Sequence, residues 1–407
     1  MHILFFAENS PYLAIRVGGA ENSMRLMAEG LAAAGHHVTF ASLRPDVLPR
    51  TRRFRRNGVE VLLLPAIRRS LAQRVLRRLG PAGAGAAAGL RAAGWRRLGR
   101  ALFGGRAGRI DVLYAFYELA FLREALKARD GGARPEMRIV MRMAGLGWQE
   151  EEQRAVAGAG LAEVAAIFNA VDAINYLSPS SRALVEARAG ALGMALEPRS
   201  SFVADIGVDV GGVPRLWAGP RPGPGLEIVV ATRFSPTQKR QDLLIEALGL
   251  VRGRLPFHVT MIGSGATRDA VERRRDALGL TQAVEILPFM PQEALWQAMA
   301  RADLLCHPCD YEGVSKIILE AMMLGLPVLA SDVAPLPDYV IEGETGFRVA
   351  NTPEAWAERL MALAADKSVL APVSARARAF VEEQHSVGRN LELYAARFAA
   401  LRPPDTC

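Results

Sequence analysis

Two glutamates, Glu312 and Glu320, flank the start of a stretch whose residue types could bind an anion. Apolar side chains recur at helical spacing after Gly313, and this pattern predicts a helix over about residues 314–324. The first turn of a helix presents backbone N–H groups without intrahelical partners, together with a partial positive charge. A diphosphate is an anion that such a helix start can bind, and one carboxylate would then lie on each side of it.

The ends of this predicted helix carry residues that commonly delimit one. Ser315 is a candidate N-cap, and Gly325 stands where a left-handed residue ends a helix. The apolar residues 327–330 indicate a short buried strand after it. The two glutamates alone assign no function, because pairs at this separation occur by chance in most long chains and an internal glutamate usually faces solvent.

The order and spacing of these features resemble the donor-sugar site of the retaining GT-B glycosyltransferases, glycosyltransferase family 4 in particular. The segment YEGVSKIILEAMMLGLPVLASD is followed by a loop ending in ETGF, and the family's E-x7-E pattern corresponds to Glu312 and Glu320. The resemblance implies that Glu320 accepts hydrogen bonds from the ribose hydroxyls and that Glu312 binds the transferred sugar and stabilises its oxocarbenium character. It also implies phosphate contacts from the helix start, near Gly313, Val314 and Ser315.

Two cations, Arg233 and Lys239, follow a predicted strand in the loop TRFSPTQKRQD. The family has an arginine and a lysine in this loop, and the resemblance implies that they stabilise the departing nucleoside diphosphate as its charge builds. The spacing is one residue longer here, so Arg233 departs from the family's pattern. The acceptor is implied to attack on the face of the leaving group, with a diphosphate oxygen taking its proton. Without the resemblance, both side chains are interpreted as surface charge.

Glycine turns follow predicted strands in both halves of the chain, which predicts two doubly wound, Rossmann-like α/β domains facing each other across a cleft, the GT-B arrangement. The first turn, Gly18-Gly19, resembles the family's GGAE turn, which faces the donor diphosphate and the acceptor. The second turn, Gly263-Ser264-Gly265, is assigned to the donor side. It lacks the full dinucleotide fingerprint, so a nicotinamide site is not predicted.

The predicted domain boundaries follow turn residues and the family pattern. An acceptor-binding N-terminal domain is predicted over residues 1–217, a Gly- and Pro-rich linker over 218–225, and a nucleotide-sugar-binding domain over 226–385. A last amphipathic helix within residues 386–407 is expected to pack back on the first domain.

One position in the first domain departs from the family. Many relatives carry a histidine at the end of a strand there, but no histidine occurs between His37 and His258 in this chain. The corresponding strand is RIVMRMAG, which puts Arg142 near that position. The resemblance therefore leaves open which residue orients the sugar and activates the acceptor.

The composition indicates a globular protein with a sizeable core, because half of the 407 residues are hydrophobic. The first residues, MHILFFAENS, predict a strand rather than a signal peptide, and no apolar run approaches the roughly 20 residues of a membrane span. A cytoplasmic protein is expected, either free or peripheral on the cytoplasmic face of a membrane.

Metal and redox chemistry are not predicted. Cys306 and Cys309 have the C-x-x-C spacing of zinc and redox sites, yet further zinc ligands are not found nearby, so buried thiols are the favoured interpretation. No Asp-x-Asp pair occurs of the type that holds a divalent metal in the other large glycosyltransferase fold. No cofactor is predicted beyond the nucleotide-diphosphate sugar, which is a co-substrate.

The net charge of +8 is concentrated in residues 50–109, which contain sixteen arginines and one acid, Glu60. Arginines there alternate with Leu, Val, Trp95 and Phe103, as in a helix that lies on an anionic membrane surface. A solvated arginine-rich surface explains the same pattern, and both interpretations stay open. Nucleic acid is not predicted, because aromatic stacking platforms and known binding motifs are lacking.

The sequence thus predicts a retaining glycosyltransferase that moves a sugar from a nucleotide-diphosphate sugar to a sugar, lipid-linked sugar or small-molecule acceptor. Synthesis of cell-surface polysaccharide, glycolipid or a natural-product glycoside is the expected setting. An epimerase or phosphorylase of the same fold is one alternative, although a phosphorylase would need a pyridoxal lysine. A non-catalytic protein that binds a nucleotide sugar or a membrane surface is the other, and the presence of both glutamates and Lys239 argues against it.

Overall fold

Short apolar runs alternate with amphipathic helices along the chain, and this alternation builds two α/β units. The computed structural model describes residues 1–13, 19–44, 50–65, 80–104, 108–143, 161–236 and 238–401. The N-terminal unit comprises Met1–Leu177, Arg182–Ile206 and Asn390–Cys407, and the C-terminal unit comprises Ser178–Ser181 and Gly207–Arg389. The predicted α/β fold class is confirmed in both units.

The N-terminal unit is built on one sheet that is covered on both faces. Its strands are β1 His2–Phe6, β2 His37–Leu43, β3 Arg52–Arg56, β4 Val59–Leu64, β5 Val112–Phe116, β6 Arg138–Met143, β7 Ala173–Tyr176 and β8 Ser201–Val203. Their order is β3-β4-β2-β1-β5-β6-β7-β8, and all neighbours are parallel except β3 with β4. The order reverses direction between β1 and β5, so the carboxyl ends of these strands mark a topological switch point.

Helices cover both faces of this sheet, and the inner strands therefore have apolar side chains on both sides. Those of the N-terminal half are α1 Gly19–Ala33, α2 Gly80–Phe103, α3 Leu119–Asp130, α4 Leu161–Ala170 and α5 Pro179–Ala191. Met24 and Met27 of α1 are buried with Ile3 and Phe5 on one face of the sheet. Apolar side chains of α2, α3 and α4, among them Phe103, Phe121 and Phe168, are buried with Leu4 on the other.

The arginine-rich segment contains three elements of this unit, β3, β4 and α2. Strand β3, which the sequence analysis did not predict, exposes its arginines at the edge of the sheet, where charges oppose further strand pairing. In α2, Leu98, Leu102 and Phe103 are buried in the core, while Arg96 and Arg97 are exposed. The apolar residues expected to contact lipid in this helix therefore face the protein interior. Residues 66–79 and 105–107 of the segment lie outside the described residues.

The C-terminal unit carries the second parallel sheet. Its strands are β9 Leu226–Ala231, β10 Phe257–Ile262, β11 Val284–Leu287, β12 Leu304–His307, β13 Val328–Ser331 and β14 Phe347–Val349. Their order is β11-β10-β9-β12-β13-β14, and all neighbours are parallel. The direction of winding reverses between β9 and β12, so the loops that follow these two strands lie at the switch point of this sheet.

The helices of the C-terminal half pack on this sheet. They are α6 Gln241–Val251, α7 Arg268–Ala277, α8 Gln292–Ala300, α9 Lys316–Leu324, α10 Pro353–Ala365, α11 Leu370–Gln384 and α12 Val387–Ala400, with short 3-10 helices at Leu336–Asp338 and Lys367–Val369. Among the described helices of the protein, none combines the length and the apolarity that crossing a bilayer requires.

The units divide at Gly207 rather than after residue 217, where the sequence analysis placed the first boundary. Backbone hydrogen bonds explain the difference. Val208 pairs with Ser386, and the N–H groups of Leu216 and Trp217 both donate to the carbonyl oxygen of Leu324. The expected linker, residues 218–225, is thereby part of the C-terminal unit.

The last helix, α12, joins the N-terminal unit from Asn390 onward. Tyr394 and Phe398 are fully buried beside Phe5 and Tyr114. The Asn390 amide donates to Asp205 Oδ1 at 2.6 Å, which fixes the helix laterally. Helix α12 and strand β1 therefore contribute side chains to the same hydrophobic core.

Candidate active site

A short antiparallel bridge joins the loops that follow β9 and β12. The N–H of Asp310 donates to the carbonyl oxygen of Gln238 at 2.9 Å, and the N–H of Arg240 donates to that of Pro308 at 3.0 Å. This bridge sets Lys239 opposite Cys309. Two side chains far apart in sequence are thereby held together by backbone geometry at the switch point of the sheet.

Lys239, Glu312 and His307 form a buried cluster at this place. The Lys239 ammonium contacts Glu312 Oε2, and His307 Nε2 lies 2.8 Å from the same oxygen and 2.9 Å from Lys239 Nζ. The Lys239 and Glu312 side chains are only 9% and 11% exposed. Gln238 Nε2 and the N–H of Gly313 donate to the other oxygen, Oε1, at 3.3 and 3.1 Å. Each carboxylate oxygen therefore has donors that fix its position.

The electrostatics of the cluster favour an ionised glutamate and a neutral histidine. Burial acts to raise the pKa of Glu312, but the hydrogen bond from His307 and the charge of Lys239 oppose it and lower that pKa to about 2. Burial, together with the charge of Lys239, lowers the pKa of His307 below 6.5 despite the opposing effect of Glu312. At neutral pH the cluster therefore holds one carboxylate and one ammonium, whose charges cancel.

His307 is a residue of this site that the sequence analysis missed. It is the last residue of β12 and is 1% exposed, so the strand aims its imidazole into the cluster. Nε2 can donate to Glu312 or accept from Lys239, while Nδ1 is buried without a hydrogen-bond partner among the described residues. The only signal in the sequence was its place between Cys306 and Cys309, which drew attention to the thiols instead.

A metal-like ligand set lies in the same cluster. His307, Cys309 and Glu312 offer a nitrogen, a sulfur and an oxygen within 4.8 Å of one another. The Lys239 ammonium, however, already contacts two of these three groups, and burial raises the pKa of Cys309 to about 12, so its thiol keeps its proton. The Lys239 ammonium therefore supplies the positive charge that a metal cation would bring to these three groups. Cys306 and Cys309 are free, buried thiols.

The start of α9 differs from the prediction. The helix begins at Lys316 rather than at Val314, and Ser315 occupies the N-cap position without a capping bond from its side chain. The N–H of Ser315 donates to the Tyr339 hydroxyl at 3.0 Å, and this hydroxyl lies 3.3 Å from the carbonyl oxygen of Gly313. The Ser315 amide therefore has a partner within the chain, and its contact with a phosphate stays a prediction. Val314 is half-buried ahead of the helix.

Glu320 lies on α9 and is held separately from Glu312. It is nearly buried, and its Oε2 accepts hydrogen bonds from Gln292 Nε2 at 2.8 Å and from Trp296 Nε1 at 3.3 Å. Both donors lie on α8, one helical turn apart. Oε1 has no hydrogen bond within the described part of the chain, so one oxygen is fixed and the other is available to a ligand.

Arg233 and the glycine turn occupy the neighbouring loops. The Arg233 side chain is exposed and makes no ion pair with a described residue, so the structure does not bring it into the Lys239 cluster. A Cβ added at Gly263 would overlap the carbonyl oxygen of Thr232, and one added at Gly265 would overlap that of Phe234. The N–H of Phe234 donates to the carbonyl oxygen of Ser264 at 3.1 Å. These glycines allow two backbone segments to approach closely.

The glycine pair of the N-terminal unit is described only in part. Gly19 begins α1, and Ser23 Oγ donates to its carbonyl oxygen at 2.8 Å. Gly18 lies outside the described residues. Arg142 lies near the carboxyl end of β6 and is 3% exposed.

Comparisons with known proteins agree with this architecture. Residues 218–380 match the family model described as Glycosyl transferases group 1. The chain is 33% identical over 133 residues to the GDP-mannose-dependent alpha-(1-6)-phosphatidylinositol monomannoside mannosyltransferase of Mycolicibacterium smegmatis, covering 31% of this chain and 35% of the relative. It is 33% identical over 185 residues to the D-inositol 3-phosphate glycosyltransferase of Nocardia farcinica, covering 42% and 41%. The chain thus spans less than half the length of these curated relatives.

Solved structures match over the whole length. A structure of Anabaena HepE with UDP and glucose has a TM-score of 0.69 at 18% identity and covers 98% of this chain and 100% of that one. Sucrose-phosphate synthase from Thermosynechococcus elongatus has a TM-score of 0.71 at 20% identity, with 98% and 99% covered. Such structural neighbours are GT-B glycosyltransferases. The protein therefore has the GT-B fold, and its residues 218–380 carry a Glycosyl transferases group 1 domain.

Proposed function

We propose that this protein is a glycosyltransferase that moves a sugar from a nucleoside diphosphate sugar to an acceptor. One observation carries the proposal: Lys239, His307 and Glu312 form a buried, charge-balanced cluster at the switch point of the C-terminal sheet. That place is where open α/β sheets bind ligands. The family match over residues 218–380 and the relatives named as glycosyltransferases support the same activity.

Lys239 is the group that stabilises the leaving diphosphate. As the bond between the sugar and the diphosphate breaks, negative charge builds on the phosphate oxygens. An ammonium has three N–H donors, of which one is directed to Glu312, and a second is directed to His307 only in the tautomer whose Nε2 carries no proton. The remaining donor can bind a phosphate oxygen without breaking the cluster, and in a water-poor site its charge acts strongly.

Glu312 acts as a carboxylate rather than as an acid. With a pKa of about 2 it holds no proton at neutral pH, so it cannot protonate a leaving group. A carboxylate can accept hydrogen bonds from the hydroxyls of the transferred sugar and stabilise positive charge on its ring. We propose retention of anomeric configuration, with the acceptor attacking beside the leaving group and a diphosphate oxygen taking its proton.

Glu320 binds the nucleoside in this proposal. Gln292 and Trp296 hold its Oε2, and its Oε1 is available to accept hydrogen bonds from ribose hydroxyls. A solved neighbour binds UDP and the name of one relative specifies GDP-mannose, so the base is left to experiment. Arg233 is exposed in the loop that carries Lys239, and its guanidinium, which forms no ion pair with a described residue, would contact the diphosphate.

The proposed acceptor is a sugar, a lipid-linked sugar or a small molecule. The names of the two relatives include an inositol phosphate and a phosphatidylinositol glycoside, which favours glycolipid or glycoside synthesis. A lipid-linked acceptor would bring the protein to a membrane surface, and the exposed arginines of β3 and α2 are the groups that would contact anionic lipid. Sedimentation with anionic and neutral vesicles tests this, since equal binding to both excludes an electrostatic role.

The activity is tested by measuring release of free nucleoside diphosphate from a panel of UDP- and GDP-sugars, with and without candidate acceptors. We expect the wild type to turn over at least one donor, and we expect Glu312→Gln and Lys239→Ala each to lower the rate about 100-fold. Glu285→Gln is the matched control, because Glu285 is exposed on β11, away from the cluster. Anomeric retention is read from the product by NMR. Donor binding without turnover across the panel would overturn the proposal.

A further inference from the structure

Arg142 is a buried cation that has no counter-charge among the described residues. It is 3% exposed, and its Nε and Nη1 are buried with no hydrogen-bond partner among the described residues. No ion pair joins it to a described carboxylate. Arginine carries five N–H donors and keeps its charge at every accessible pH, so the folded chain cannot relieve this situation by losing a proton. A buried charge without a partner costs stability, which makes the arrangement unusual.

Two other arginines of the same unit show how the chain normally satisfies such a group. Arg129, which is as buried as Arg142, donates to Asp172 Oδ2 at 2.8 Å and to the carbonyl oxygen of Ala170 at 2.9 Å. Arg134 is also buried, and it donates to the carbonyl oxygens of Phe103 and Gly104 at 3.1 and 2.8 Å. Arg142 has neither kind of partner in the described part of the chain.

The position of Arg142 is one where ligands bind. It lies next to the last residue of β6, opposite Phe116 of β5 and Asn175 of β7, so the three side chains share one face of the sheet. Its guanidinium carbon lies 5.3 Å from the centroid of the Phe116 ring. The parallel strands of the sheet have their carboxyl ends here. Strand β6 is the neighbour of β5, and β5 borders the switch point between β1 and β5.

The polar neighbours of Arg142 cannot balance its charge. Asn175 is committed, because Tyr114 donates its hydroxyl hydrogen to Asn175 Oδ1 at 2.7 Å and Asn175 Nδ2 donates to backbone carbonyls. The Tyr394 hydroxyl lies 3.0 Å from the same Oδ1 and 2.7 Å from the carbonyl oxygen of Ala204. Burial raises the pKa of Tyr114 and that of Tyr394 further above 10, so both hydroxyls stay neutral. Within the part of the chain that the structure describes, this face therefore offers a guanidinium and an aromatic ring but no carboxylate.

We propose that Arg142 binds a phosphate or carboxylate group of the acceptor, which makes the acceptor of this protein an anion. The inference rests on the proposed function, since it names the acceptor class of that reaction. The donor diphosphate has its own cation, Lys239, in the C-terminal unit. A guanidinium fits both anions, because two of its N–H groups can donate in parallel to two oxygens of either. The apolar wall of Phe116 strengthens such a pair by keeping water away.

A ligand-binding role and a purely structural role for Arg142 predict opposite changes in melting temperature when the residue is replaced. If Arg142 serves to bind a ligand, its buried charge lowers the stability of the ligand-free protein. Replacing it with a neutral side chain should then raise that stability and weaken the binding of the anion. Arg142→Met should therefore raise the melting temperature of the full chain by a few degrees in the absence of ligand. A residue that merely held the fold together would lower the melting temperature when replaced.

The experiment measures melting temperature and anion affinity for the wild type, Arg142→Met, Arg142→Lys and the control Arg96→Met, whose parent side chain is exposed on α2. The probes are glucose 6-phosphate, glucuronic acid and neutral glucose, with a short-chain phosphatidic acid below its micelle concentration to represent a lipid headgroup. We expect the wild type and Arg96→Met to be stabilised by at least one anion and not by glucose. Arg142→Met should bind that anion about 10- to 100-fold more weakly, with Arg142→Lys between the two.

These measurements distinguish the absence of an anion site at Arg142 from the absence of the proposed glycosyltransferase activity. An anion response that is the same in Arg142→Met and in the wild type overturns the inference, as does a lower melting temperature of Arg142→Met combined with no anion response in the wild type. If the response depends on Arg142 but no donor releases nucleoside diphosphate, the anion site stands and the proposed activity falls. Once an acceptor is found, Arg142→Met should raise its KM far more than it lowers kcat, because the residue binds the acceptor and does not touch the donor phosphate.

Discussion

Removing the Lys239 ammonium would leave Glu312 buried beside a neutral histidine, and the resulting loss of stability can be worked out from the site. The pKa of Glu312 falls from 4.5 to about 2 on folding. One pKa unit corresponds to about 1.4 kcal/mol, so the folded chain favours the ionised carboxylate by about 3 kcal/mol. Both side chains are about nine-tenths buried, so solvent screening reduces this value little. Because the hydrogen bond from His307 supplies part of this preference, we expect Lys239→Met to lower the free energy of unfolding of the C-terminal unit by up to about 3 kcal/mol at pH 7.

A double-mutant cycle isolates the contribution of the pair from that of the two side chains. Glu312→Gln removes the charge that Lys239→Met leaves unpaired, so the double variant should be more stable than Lys239→Met alone, with a coupling energy of about 2 kcal/mol. Urea unfolding followed by tryptophan fluorescence provides the assay, because Trp217, Trp296 and Trp356 all belong to this unit. Effects that add to within about 0.5 kcal/mol would refute an energetically coupled pair.

The pH dependence of the same difference gives an independent check. Because the pKa of Glu312 is lower in the folded chain than in the unfolded one, its stabilising contribution is complete above about pH 4.5 and is lost as the pH falls toward 2. The destabilisation caused by Lys239→Met should therefore shrink between pH 5 and pH 3. Glu285→Gln, on the exposed face of β11, should show no such trend. A difference between wild type and Lys239→Met that stays constant over this range would contradict the assigned charge states.

Two further predictions concern the scaffold. Phe398 is fully buried in the N-terminal core, 5.6 Å between ring centroids from Tyr114, so Phe398→Ala should lower the free energy of unfolding by about 3 to 5 kcal/mol in urea titrations; a loss below about 1 kcal/mol would contradict the packing of α12. Gly265→Ala should destabilise the C-terminal unit, because the added Cβ overlaps a carbonyl oxygen, whereas Gly190→Ala, in a helix with open space around it, should be neutral or slightly stabilising. Equal melting temperatures for these two glycine variants would contradict the close approach at Gly265.

The strands were the part of the fold that the sequence determined best. Both β4 and β6 can be recognised from the sequence, because each is a short stretch rich in apolar residues that is bounded by turn or polar residues, as expected of a strand buried in a parallel sheet. Strand β3 was missed because four of its five residues are arginines, so it has no apolar pattern. It forms because Phe54 and the adjacent strand β4 supply the pairing, which is information that lies outside the segment itself.

The sequence predicted which charged residues belong to the candidate site, but not which atoms those residues contact. Lys239 and Glu312 could be assigned to loops after strands, yet the backbone bridge that joins those loops depends on β9 and β12 being neighbours, which the sequence does not state. The hydrogen bond from the Ser315 amide to the hydroxyl of Tyr339, which is 24 residues away, was likewise not predicted. His307 was missed for a similar reason, since its role follows from the direction in which the last residue of a buried strand points.

The two buried charge sites of this protein differ in a way that bears on how each meets its ligand. In the C-terminal unit Lys239 and Glu312 neutralise each other before any ligand arrives, so an incoming diphosphate shares the ammonium with a carboxylate. In the N-terminal unit no described group competes for Arg142, so an anion would gain the full attraction of a buried guanidinium. Because the arginine charge does not titrate, the pH dependence of binding there should follow the ionisation of the ligand alone. At Lys239 it should follow Glu312 as well, since protonating that carboxylate releases the ammonium to the diphosphate.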